Sequence, residues 1–174
     1  MRALALIPLI AVAACGGGDG EAGKNEVRGK AASIAAGQWE LTSEVTAFRN
    51  VDGGTPQIDA PVGTRVTETV CVGEGRPPTE LFAGEGYRCS YDNYYVRNGR
   101  LNVTLLCRRE GLSGSIPMTT DGRFEEDMLE YTRDLRTSLA GPGDVQITAS
   151  VTGRRTGDCT PEAPDGDRNA SKAE

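Results

Sequence analysis

Residues 89–107 read CSYDNYYVRNGRLNVTLLC. Asn98-Gly99 stands between two runs of β-prone residues, the strongest short-range signal for a β-hairpin. A cysteine closes each open end. Two registers compete. A two-residue Asn-Gly turn pairs Arg97 with Arg100 and sets Cys89 opposite Arg108. A three-residue loop, with Gly99 as a left-handed bulge, pairs Val96 with Arg100 and sets Cys89 opposite Cys107.

The side chains separate the two, because a one-residue slip moves every side chain to the other face. In the bulged register Tyr91 faces Leu105, Asn93 faces Val103 and Tyr95 faces Leu101. One face then carries Tyr91, Tyr95, Leu101, Val103, Leu105 and both cysteines. The other carries Ser90, Asp92, Tyr94, Asn102, Thr104 and Arg108, with Val96 and Leu106 as apolar exceptions. The two-residue turn mixes the faces. The bulged register is therefore expected, with a Cys89–Cys107 disulfide on the core face, since directly opposed strand positions lie within bonding reach.

Upstream, Met1 to Cys15 reads MRALALIPLIAVAAC. Arg2 and the apolar run Ala3–Ala14 form a secretory signal too short to span a bilayer. Val12-Ala13-Ala14-Cys15 looks like a bacterial lipobox, so residues 1–15 are expected to be a lipoprotein signal ending at a lipidated Cys15. Several acyl chains on one residue anchor stably where one alone is marginal. Gly16 in place of aspartate favours the outer membrane. Residues 16–36 are small, charged and without aromatics, and read as a flexible tether. Residues 37–160 form the expected domain, and 161–174 an acidic, disordered tail.

Five cysteines and no histidine narrow the chemistry. With Cys15 set aside, four remain in an exported domain, which implies two disulfides. If Cys89 pairs with Cys107, Cys71 pairs with Cys159. A metal site is disfavoured, because no two of these cysteines have C-x-x-C spacing. Without histidine, Ser-His-Asp and Cys-His catalysis is excluded. Lysine occurs only at Lys24, Lys30 and Lys172, all in the expected tails, so a lysine nucleophile inside the domain is not expected. The formal net charge of −6 argues against nucleic acid. What remains is carboxylate chemistry, and the cluster Glu125-Glu126-Asp127 reads as a solvated surface. The chain is expected to be no enzyme and to need no cofactor.

The rest of the domain alternates like β structure. Trp39, Leu41, Val45 and Ala47 share one face of a strand over about residues 37–50. Residues 65–72 form the next, with Val66, Val70 and Val72 on one face and Cys71 on the other. Residues 74–88 are irregular, with one helical turn near Pro77–Phe82. A strand over 113–120 leads to a turn at Asp121-Gly122. Residues 123–138 fit helical and strand spacing alike, and the preceding Asp-Gly favours strand. A turn at 141–144 precedes a last strand that starts at Val145 and ends near Arg155.

Several of these pieces, in this order, resemble the exported bacterial domain-of-unknown-function family numbered 3617. They are Gly37-x-Trp39-Glu40, Cys71, the block from Cys89-x-Tyr91-Asp92 through Gly99-Arg100 to Cys107, and Arg155-Thr156-Gly157-Asp158-Cys159. The resemblance covers most of the domain and implies an envelope protein of largely antiparallel β structure. It brings no reaction and no catalytic residues.

The expected fold is all-β: a curved antiparallel sheet or half-open barrel of about six or seven strands, stapled by two disulfides. The expected function is that of a non-enzymatic envelope lipoprotein, lipid-anchored and facing the periplasm. It would present a sheet surface, or a shallow apolar cavity lined by Trp39, Tyr91, Tyr95 and Leu105, to an apolar ligand or an envelope protein. A second reading is a protein–protein module, such as an envelope hydrolase inhibitor, using loops 52–63 and 74–88. A third is a carboxylate-dependent hydrolase.

Overall fold

A computed structural model describes residues 31–159. The elements are β1 (Gly37–Asn50), β2 (Arg65–Val72), α1 (Glu80–Ala83), β3 (Tyr87–Arg97), β4 (Arg100–Arg109), β5 (Gly114–Phe124), β6 (Met128–Arg136), β7 (Ser138–Leu139) and β8 (Val145–Gly157). Seven strands form one antiparallel sheet in the order β2-β1-β8-β6-β5-β4-β3, and the two-residue β7 pairs with β5. The sheet curls into a half-open barrel, as the alternation of its sequence implies. Residues 123–138 contribute strand, not helix.

Alternate side chains of every strand point into the curl. Trp39 and Leu41 of β1 meet Leu101, Val103 and Leu105 of β4, Ile116 and Met118 of β5, Leu129 and Tyr131 of β6, and Val145 and Val151 of β8 in one buried cluster. The gap between the edge strands β2 and β3 is occupied by the connection between them. Within it, the single turn α1 drives Leu81 and Phe82 into the interior, where both are fully buried. Burying two such side chains contributes about 1.5–3 kcal/mol each. Polar contacts hold this plug. Tyr131 donates its hydroxyl to the Leu81 carbonyl at 2.6 Å, and Glu85 donates its backbone N–H to the Glu68 carboxylate at 2.7 Å.

Both disulfides form as expected, Cys89–Cys107 and Cys71–Cys159. Cys71 points away from Val70 and Val72, so its bond to Cys159 lies on the outer side of β2, beyond the end of β8.

Three expectations need correction besides Ala47, which a bulge in β1 between Val45 and Ala47 turns outward while Phe48 packs against the core. The hairpin turn is the two-residue Asn98-Gly99, with Arg97 opposite Arg100 and positive φ at both turn residues, 53° and 73°. Cys89 nevertheless lies opposite Cys107, because the extra residue sits at Asp92, between Tyr91 and Asn93. A bulge anywhere along β3 restores the cysteine pairing, but only residues on its far side change face. Tyr95 therefore pairs with Asn102 and faces out, while Tyr94 and Val96 turn inward opposite Val103 and Leu101.

The second correction is at Asp121-Gly122, where β5 runs on to Phe124. The turn is at Glu125–Met128, closed by the Glu125 N–H on the Met128 carbonyl. Gly122 serves strand contact instead. A Cβ there would lie 2.2 Å from the Glu130 carbonyl oxygen, so only glycine lets β5 and β6 come this close.

The third concerns residues 31–36, expected within the tether. Ile34 is buried, Trp39 donates its indole N–H to the Ala35 carbonyl at 3.0 Å, and the Gly99 N–H donates to the Ala31 carbonyl at 2.9 Å. This stretch packs against the barrel and leads the chain in beside the β3–β4 hairpin tip. Cys15, the remainder of the tether and the tail from residue 160 lie outside the described residues.

Candidate functional site

The four residues expected around an apolar cavity do not enclose one. Trp39 and Leu105 are fully buried in the packed core. Tyr91 is half-buried. Its ring packs edge-on against Phe82 and Tyr94, and its hydroxyl donates to the Pro77 carbonyl at 2.8 Å. Burial pushes that hydroxyl's pKa well above the ordinary tyrosine value, Tyr94 adds to the rise, and Arg76 opposes it. The Arg76 guanidinium sits 5.2 Å from the Tyr91 ring centre and 4.8 Å from that of Tyr94, clamping the loop over β3. Tyr95 is on the opposite face of the sheet and 49% exposed. The interior these residues were expected to leave open is filled by Leu81 and Phe82.

Loops 52–63 and 74–88 are likewise tied into the fold. Ile58 is buried, and Asp52 accepts the backbone N–H groups of Gly143 and Asp144 at 2.8 and 3.1 Å. The second loop supplies the plug. The carboxylates of Glu125, Glu126 and Asp127 are exposed on the β5–β6 turn. Among the described residues no group of three or more His, Cys, Asp or Glu side chains is placed to hold a metal ion.

Among the described residues an open groove on the outer face, about 880 Å³ in volume, crosses β3, β4, β5, β6 and β8. Its floor is one row of directly paired residues. Tyr95 faces Asn102, Asn102 faces Asp121, Asp121 faces Thr132, and Thr132 faces Ser150. Outward side chains of paired strands stand side by side, so the row runs across the strands at the interstrand spacing of about 4.8 Å. Asn102 donates to the Asp121 carboxylate at 3.1 Å. Among the described residues the Tyr95 hydroxyl has no hydrogen-bond partner.

A second row borders the first. Arg97 faces Arg100, Arg100 faces Arg123, and Arg123 faces Glu130. Arg123 forms an ion pair with Glu130 across the strand pair. Among the described residues Arg97 and Arg100 have no acidic partner. Like charges directly opposed across strands are destabilising. Glu125 and Glu126 stand at the same end of the groove, so its charge is mixed.

Sequence reasoning placed Tyr95 on the wrong face and so missed the groove. Its available signal was the outward alternation of short polar residues: Asn102, Asp121, Thr132 and Ser150 each sit between two inward neighbours. Aligning them required the β6–β8 neighbourhood, which chain order does not show.

No curated protein and no solved structure matches the chain. A family model does, over residues 34–159, a span that takes in every strand of the described residues, both disulfides and all of the groove except Ala31. The chain belongs to the family described as protein of unknown function DUF3617.

Proposed function

We propose that the protein is an exported, lipid-anchored, non-enzymatic binding module that meets its partner through the outer groove. The observation that carries this reading is the contrast between the two faces of the sheet. The inner face is filled by Leu81 and Phe82, whereas the outer face holds an open groove with an exposed aromatic ring and polar groups still free to bond. Exposed aromatic and arginine side chains beside a concavity are the residue types that anchor partners. The signal-like segment ending at Cys15 and the pair of disulfides support an oxidising, extracytoplasmic address.

Two measurements test it in cells. Metabolic labelling with palmitate, with fractionation of the Cys15→Ala variant, is expected to show acylation and membrane retention that both depend on Cys15. Unchanged anchoring in the variant would remove the lipoprotein half of the proposal. A photo-crosslinking amino acid at Tyr95 is expected to capture an envelope component, and the same group at Glu40, on the outer face of β1, is not. Equal capture at the two positions would remove the groove half.

A further inference from the structure

We infer that the groove binds a glycan chain, an extended run of pyranose rings laid across the strands. The inference rests on the reading of the groove as the binding face and names the class of ligand it takes. Four observations lead to it. First, the floor is an unbroken row from Tyr95 to Ser150, five side chains in directly paired register. At the interstrand spacing the row spans about 19 Å, room for a chain of several rings and more than one small molecule needs.

Second, the chemistry along the row suits hydroxyl groups, each of which donates and accepts. Asn102, Thr132 and Ser150 can do both, Asp121 accepts, and Arg100 beside them donates. Third, one end of the row is an exposed tyrosine ring. A pyranose carries a face of C–H groups that packs on such a ring while its hydroxyls reach neighbouring polar side chains.

Fourth, the other chemistries fit poorly. A polyanion would gain Arg97 and Arg100 at one border, but it would meet Asp121 in the floor and Glu125, Glu126 and Glu130 at the same end. An apolar chain would have to strip water from Asn102, Asp121, Thr132 and Ser150 without replacing their hydrogen bonds. An extended peptide adds to a sheet through the unpaired backbone of an edge strand. The row touches one edge strand, β3, at Tyr95 and otherwise runs across β4, β5, β6 and β8, whose backbones are paired on both sides.

The envelope offers two sources of such a chain, the glycan of peptidoglycan and the sugar portion of lipopolysaccharide. The full-length protein, purified in detergent, is tested by co-sedimentation with isolated peptidoglycan sacculi and by capture on immobilised lipopolysaccharide. Binding in at least one arm is expected, and the arm that binds names the source. Tyr95→Ala is expected to weaken it about tenfold, the loss of one ring stack and its hydroxyl, and Asp121→Ala to weaken it as well. Leu106→Ala, exposed on the same face but outside the groove, should bind like wild type. Absence of binding in both arms, or binding that Tyr95→Ala and Asp121→Ala leave unchanged, overturns the inference. If the Tyr95 photo-crosslink in cells captures a protein while both glycan arms stay empty, the groove remains a binding face and the glycan assignment alone falls.

Discussion

The Tyr131 hydroxyl on β6 donates to the Leu81 carbonyl oxygen in α1 at 2.6 Å, and both residues are buried. This bond joins the centre of the sheet to the segment that stops its interior from being a cavity. Burial raises the pKa of Tyr131 well above the ordinary tyrosine value, so the hydroxyl stays protonated and donating across the physiological range.

Tyr131→Phe is expected to lower stability by about 1–3 kcal/mol, because it leaves the Leu81 carbonyl buried without its donor. Phe82→Ala is expected to cost more, about 3–5 kcal/mol, through the lost burial and the space left behind. Urea unfolding of both variants checks the order. If Phe82→Ala were nearly neutral, the plug would not be a structural part of the fold.

The two disulfides should contribute unequally. Cys71–Cys159 closes a separation of 88 residues and Cys89–Cys107 one of 18. Loop entropy gives roughly 4–5 kcal/mol for the first and about 3 for the second. Paired Cys→Ser variants, compared by thermal melting, should show the larger fall for Cys71/Cys159.

Deleting Asp92 should be tolerated, although it lies inside a strand. Asp92 is the residue that β3 carries in excess of β4, so its removal brings Tyr91 and Asn93 into consecutive pairing with Leu105 and Thr104. Deleting Thr119 from β5, which pairs without interruption on both sides, should unfold the domain by turning half the strand inside out. Circular dichroism melts of the two deletions distinguish these outcomes.

Asp52 predicts a pH dependence. Backbone N–H groups of Gly54, Asp144 and Gly143, in that order, hold its carboxyl below the usual aspartate range. A pKa lowered by folding means that the unfolded chain takes up its proton first as the solution is acidified. The stabilisation is thus complete above the unfolded aspartate pKa and is lost as pH falls through the lower folded value. The stability difference between wild type and Asp52→Asn should accordingly be constant near neutral pH and shrink in acid below the ordinary aspartate range. A difference that grew on acidification would contradict the assignment.

Gly122→Ala should destabilise by about 1–3 kcal/mol, as an added methyl group meets the Glu130 carbonyl and the backbone of Tyr131. Gly63→Ala offers the contrast. Its φ of 88° carries strain, but nothing lies within 4 Å of the added carbon. Denaturant titration of the pair separates contact from conformation.

The sequence by itself determined the all-β class, most of the strands, both cysteine pairings and the family, because each rests on local alternation or on spacing along the chain. It also placed the helical turn before β3. Tertiary structure decided the location of the bulge. Moving it from Gly99 to Asp92 keeps Cys89 opposite Cys107 and exchanges the faces of Tyr94 and Tyr95, two identical residues that no pattern can tell apart. It also decided that Leu81 and Phe82 fill the barrel. An apolar pair in an irregular loop carries no period, and only the gap between β2 and β3 gives it a place to be buried. The groove exists for the same reason: Asp121 and Ser150, far apart in sequence, share a row only because β6 sits between β5 and β8, and strand order is set by how the sheet closes over its core.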